Sequence, residues 1–216
     1  MNGKAGQSGK EPIAIVGMSC RFPGADTLDG FWRLLCEGRD AVTEIPAERW
    51  DIDALYDPDP TAPGKMLTRY GSFLKGLDQF DASFFGISPR EAAHLDPRQR
   101  LMLELAWEGL EDAGAPPDSL AGSRTGVFIA TLTDEYAELL YRDINRCYIY
   151  TGLGSAHSIV ANRISYFLDL RGPSLALDTA CSGSLIATHL ACQSLWSGES
   201  SLALVGGVSL NLLPYN

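Results

Sequence analysis

The chain has 216 residues, room for one domain or for a large part of one that folds with more sequence. Its 45% hydrophobic and 20% charged residues suit a globular protein, and a formal net charge of −10 argues against a general nucleic-acid or anionic-membrane surface. No apolar run approaches the ~20 residues that span a bilayer, and the polar opening MNGKAGQSGK lacks the apolar stretch of a secretory signal, so a cytoplasmic location is expected.

Residues 1–10 read as a flexible leader, after which 11–216 reads as a single unit that opens its polypeptide. PIAIVG (12–17) is a short β-branched run closed by glycine and predicts a buried central strand. LDGFWRLLCEG (28–38) places Leu28, Phe31, Trp32, Leu35 and Cys36 on one helical face and stops at Gly38. From Asp51 to Gly76 the Pro, Asp and Gly content predicts an extended loop region with isolated aromatics. Pro97 marks the start of a helix over about 98–113, with Leu101, Met102, Leu105 and Leu110 as its apolar face and Gly114 as its stop.

TGVFIAT (125–131) predicts another buried strand. A polar, Tyr-rich stretch leads to a helix at 156–168 and a break at Gly172-Pro173. A strand (174–178), a turn, a helix (about 182–195) and a strand (202–210) follow. Strands that alternate with helices predict an α/β layered sheet with parallel neighbours.

Five cysteines, Cys20, Cys36, Cys147, Cys181 and Cys192, are odd in number and scattered. No CxxC pair or zinc-type Cys/His spacing is present, so no metal is expected. DTACSGS (178–184) sets Cys181 on a sharp strand-to-helix turn. The first-turn N–H groups of a helix lack intrahelical partners and carry partial positive charge, so a thiolate there is stabilised and the thiol pKa should fall. Gly183 is expected to let a substrate approach, as in the nucleophile elbow of serine hydrolases. From this context alone, an inert buried thiol fits as well as a nucleophile. Cys192, deep in the following helix, reads as structural.

AIVGMSCRFPGA (14–25), FWRLLCEGRDAV (31–42), FDASFFGISPREAAHLDPRQRLMLELAWEGLEDAG (80–114), ANRISYFLDLRGPS (161–174), DTACSGSL (178–185) and ACQSLWSGES (191–200) resemble signatures of β-ketoacyl synthase (ketosynthase) domains of modular, type I polyketide synthases. They stand in family order from Glu11 to about Leu210. The resemblance implies an α/β, thiolase-like fold, in which two similar halves stack as α/β/α/β/α and pair as a homodimer. This chain would be the N-terminal half.

The resemblance also implies decarboxylative Claisen condensation, with Cys181 taking an acyl chain from the phosphopantetheine of an acyl carrier protein before attack by a malonyl-type extender. No cofactor is implied to bind directly, and neither nucleic acid nor membrane is an implied partner.

The family's two catalytic histidines and supporting lysine belong to its second half, and no HGT-type motif occurs here. The chain is therefore expected to be truncated, incomplete or one partner of a split enzyme, its other half supplied in cis or trans. A remnant or dimerisation module is the non-catalytic alternative. Such a half-fold would expose apolar surface. Among the histidines present, His189 lies about 12 Å from Cys181 along its helix. His94 and His157 also read as structural or surface groups.

Overall fold

The structure, a computed structural model, describes residues 10–214, so the predicted leader lies outside the described residues except for Lys10. Thr27 caps helix α1 (Leu28–Cys36), its hydroxyl accepting from Gly30 N, and Gly38 beyond it takes the left-handed φ of 60° that ends the helix. None of the α1 residues is buried, and Trp32 is 67% exposed.

The Pro/Asp/Gly-rich stretch has more order than its composition predicts. Thr43–Glu44 (β1) pairs antiparallel with Tyr70–Gly71 (β2), and the short helix α2 (Ile52–Leu55) lies between them. Trp50 stands edge-on to Phe73 with ring centroids 5.7 Å apart. A one-turn helix α3 (Pro89–Ala92) precedes α4 (Pro97–Asp112), which Asp96 caps and Pro97 opens. Strand β3 (Thr125–Thr131) is buried at every position. The Tyr-rich stretch, without a clear period in the sequence, folds into α5 (Glu135–Tyr141), a 3-10 turn and α6 (Ile149–Ser155). Then follow α7 (His157–Phe167), β4 (Ser174–Leu177), α8 (Gly183–Trp196) and β5 (Leu202–Val208).

β3 is central in a parallel sheet of order β4-β3-β5, with Val127 opposite Ser174 and Thr125 opposite Leu202. Its alternate residues serve two cores. Val127 and Ile129 pack with Met102, Leu103 and Leu110 of α4 and with Val160 and Ile164 of α7. Phe128 and Ala130 face Ala187 and Ala191 of α8. The sheet is thus a middle layer between helices, which is why β3 is apolar on both faces. Burying Val127, Phe128 and Ile129 contributes about 1.5–3 kcal/mol each.

The predicted strand at 12–17 does not form. Ile15 and Val16 are 80% and 60% exposed, and no ladder reaches them. Strand composition does not by itself make a strand: among the described residues β3 pairs with β4 and β5, and residues 12–17 join no ladder. The stretch just beyond it lies along α4 instead: Met18 N donates to Asp112 Oδ2 (2.8 Å) and Ser19 Oγ to the Leu105 carbonyl (2.7 Å). Trp32, Ile144, Ile149 and Leu185 are large apolar residues left exposed. Among the described residues, no helix is long and apolar enough to cross a membrane.

Candidate active site

The turn between β4 and α8 is built around one strained residue. Asp178 Oδ1 accepts from Ala180 N (2.8 Å), and Ala180 takes a φ of 51°, a left-handed conformation that costs a residue with a Cβ about 1–2 kcal/mol. One 3-10 turn (Ala180–Ser182) then leads into α8. The sequence placed the sharp turn at Cys181, whereas the structure puts its strain one residue earlier and leaves the thiol exposed.

Ser182 occupies the N-cap position of α8 without capping it; its hydroxyl donates to the Thr179 carbonyl (2.8 Å). The Gly183 N–H donates instead to the Ala180 carbonyl, so the 3-10 turn runs directly on into α8. The N-terminal end of α8 gives the region beside Cys181 a positive character that suits a developing oxyanion.

Gly183 has a role beyond the one expected. It is buried, and a Cβ there would lie 2.9 Å from the Ala130 Cβ. Glycine lets α8 approach β3, and it also lines the cavity that Cys181 borders. Ala187 and Ala191 continue the same small-residue face against the sheet.

Cys181 lines a cavity of about 730 Å³ between the α8 start, the β5 end and the loop carrying Phe73. Leu101, Leu105, Leu132, Val205 and Leu210 give it apolar walls. Two cations border it. Arg21 pairs with Glu108, and that hydrogen bond raises its pKa. Arg49 donates to the carbonyls of Leu74 (2.6 Å) and Asn211 (3.4 Å), and burial pushes its pKa below the ordinary guanidinium value.

None of the three histidines lines this cavity. His94 Nδ1 lies 3.0 Å from Thr151 Oγ1, and His157 Nε2 lies 2.7 Å from the Thr133 carbonyl and 2.6 Å from Asp134 Oδ1. His189 is on the exposed side of α8. The other cysteines differ from Cys181 in setting. Cys20 is buried, and burial pushes its thiol pKa up; Cys192 lies partly buried within α8.

Sequence reasoning passed over two charged groups. Arg98, inside the DPRQR segment, is buried with Asp96 and reaches Thr131 Oγ1 (3.1 Å) and the carbonyls of Leu132 and Thr133. Glu135 is buried against Leu212 and Leu213. A charged pair two residues apart beside a helix-opening proline was the available signal for the first. Nothing local marks the second.

The profile described as Beta-ketoacyl synthase, N-terminal domain, matches residues 10–216. The chain is 55% identical over 205 residues to a component of the phenolphthiocerol/phthiocerol polyketide synthase of Mycobacterium tuberculosis (strain ATCC 25618 / H37Rv), covering 94% of this chain and 13% of that protein. Among solved structures, the oxazolomycin ketosynthase domain OzmH KS7 of Streptomyces albus JA3453 superposes with a TM-score of 0.85 at 45% identity, covering 93% of this chain and 35% of that one. The ketosynthase from module 6 of the bacillaene synthase of Bacillus subtilis 168 gives 0.82 at 40% identity, covering 93% and 32%. The chain therefore spans a small part of the curated relative and about a third of each solved domain.

Proposed function

Because the chain belongs to the β-ketoacyl synthase family, matching its N-terminal domain and sharing its thiolase-like α/β fold, we propose that it is the acyl-accepting part of a polyketide-synthase ketosynthase, with Cys181 as the loaded thiol. The observation that carries this reading is the placement of one exposed cysteine at a strained elbow, beside the N-terminal end of α8 and at an apolar cavity.

In the proposed reaction the Cys181 thiolate attacks the carbonyl carbon of an acyl thioester carried on the phosphopantetheine of an acyl carrier protein. The tetrahedral oxyanion collapses, the bond from carbon to the carrier sulfur breaks, and the carrier thiolate takes up a proton. The positive end of α8 favours the developing oxyanion. One thioester replaces another, so the exchange is close to thermoneutral. The cavity's leucines and valine would shield the acyl chain from water.

The condensing step requires donors for the enolate that forms as carbon dioxide leaves a malonyl-type extender. His94, His157 and His189 stand outside the cavity, so the residues of this chain supply the loading step. This reading makes an acyl carrier protein the partner, a homodimer the assembly and the cytoplasm the setting.

Incubation with an acyl-pantetheine thioester, followed by intact-mass and peptide analysis, tests the proposal. The expected adduct is one acyl group on Cys181, lost in Cys181→Ala. Absence of an adduct, or one that survives the substitution, refutes the assignment.

A further inference from the structure

We propose that Glu135 is a positioning residue that shapes the acyl-chain preference of the Cys181 cavity by holding the backbone of its wall. The inference rests on reading Cys181 as the acyl-accepting thiol and adds a residue that would tune what it accepts.

Glu135 opens α5 and is 3% exposed. A carboxylate so buried is costly unless its oxygens are fully engaged. Its partners are all neutral: Oε2 accepts from Leu212 N and Leu213 N (2.5 Å each), and Oε1 accepts from Thr133 Oγ1 (3.1 Å). Charge-assisted bonds to backbone N–H groups are about twice as strong as neutral ones, so this carboxylate fixes both amides firmly.

Those amides follow directly on Ser209, Leu210 and Asn211, which line the cavity, so holding them anchors the end of that stretch of wall. Arg49 takes the Asn211 carbonyl from the other side at 3.4 Å. A cation thus holds one carbonyl of the segment, and an anion holds the next two amides. At its other end, Glu135 engages Thr133, whose φ of 62° is left-handed and whose carbonyl is taken by Arg98 and by His157 Nε2. Leu132, next to it, also lines the cavity. One carboxylate therefore couples two stretches of wall from distant parts of the chain. Loss of that link moves Leu132 relative to Leu210 and changes the room for a long chain more than the access of a small reagent.

The test measures alkylation of Cys181 in the full chain by iodoacetamide and by N-octyl iodoacetamide, read by peptide mass. In this reaction sulfur displaces iodide and the thiol proton passes to buffer. Glu135→Ala is expected to change the octyl-to-small rate ratio by about tenfold, the scale of discrimination in an apolar pocket, with the iodoacetamide rate held within about twofold. Glu135→Gln, which keeps a carbonyl oxygen for the two amides, is expected to restore most of the wild-type ratio. If Glu135→Ala does not fold, Glu135→Asp draws the acceptor back by one methylene and must change the ratio by about threefold. A ratio within twofold of wild type, or equal changes for both reagents, overturns the proposal. The alkylation ratio reports on the wall whether or not a thioester loads Cys181, so failure of the acyl-transfer reading is distinguishable from failure of this one.

Discussion

The guanidinium of Arg98 lies against the carboxylate of Asp96 with Nη2–Oδ2 at 2.6 Å and both side chains almost wholly shielded, at 5% and 2% exposure. The same carboxylate accepts from Arg98 N (2.8 Å), so it caps α4 as well as neutralising the cation. The remaining Arg98 donors reach the end of β3, which locks the first turn of α4 to the loop that walls the Cys181 cavity.

Asp96→Ala leaves this buried guanidinium uncompensated, and the expected loss is about 3–5 kcal/mol. Thermal denaturation should show a Tm fall of about 10 °C or more. Asp96→Ala combined with Arg98→Met should recover much of it, because an apolar replacement removes the charge that needs a partner. A loss under about 1 kcal/mol for the single variant would show that the pair is not shielded as described.

Gly183→Ala places a Cβ 2.9 Å from the Ala130 Cβ, and overpacking of this kind costs about 1–3 kcal/mol. Denaturant unfolding should show that loss, with part of it recovered when Ala130→Gly is added. Equal stability of Gly183→Ala and wild type would contradict the close approach of α8 to β3.

Thiol accessibility separates the cysteines. Cys36 and Cys181 are exposed, whereas Cys20 is buried with its pKa raised by that burial. Iodoacetamide at pH 8 should modify the first two at least ~10-fold faster than Cys20, as peptide mapping can show. Labelling of Cys20 at the rate of Cys181 would be inconsistent with the packing of residues 18–21 on α4.

Glu104 supplies a pH dependence. Burial, aided by Glu108, raises its carboxyl pKa, although a backbone hydrogen bond at Asp81 and the charge of Arg21 pull the other way. A raised folded-state pKa means stability present below the unfolded value of about 4.3 and lost as pH rises through the folded one. Glu104→Gln should therefore raise Tm by about 1–2 °C at pH 7 and have no effect near pH 4. An unchanged difference across that range would remove the titration as its cause.

Sequence reading served best where a local pattern had a single physical solution. TGVFIAT could only be a strand covered on both faces, and Pro97 and Gly114 bracket α4 as capping chemistry requires. It failed where the outcome depended on a remote partner. Ile13 to Val16 carry a strand's composition, yet a strand also needs a partner, and none among the described residues pairs with them. The Tyr-rich stretch hides α5 and α6 because short helices held by tertiary contact need no clear period. Cys181 was legible from its turn, but the cavity beside it joins residues from Ser19 to Asn211, and no local window could reveal that.

The order of strands in the sheet has a consequence for synthesis on the ribosome. β3, the middle strand, is made before either neighbour, and its partners in the register, Ser174 and Leu202, emerge only after α5, α6 and α7. At about 5–20 residues per second, a strand with the apolar centre Val127 to Ala130 waits several seconds with both backbone edges unpaired. During that interval α4, already complete and able to cover one face through Met102 and Leu103, is the strand's available shelter. The nascent chain thus has a vulnerable period, closed when β5 arrives, and a chaperone that binds short apolar segments would find its strongest target at residues 125–131.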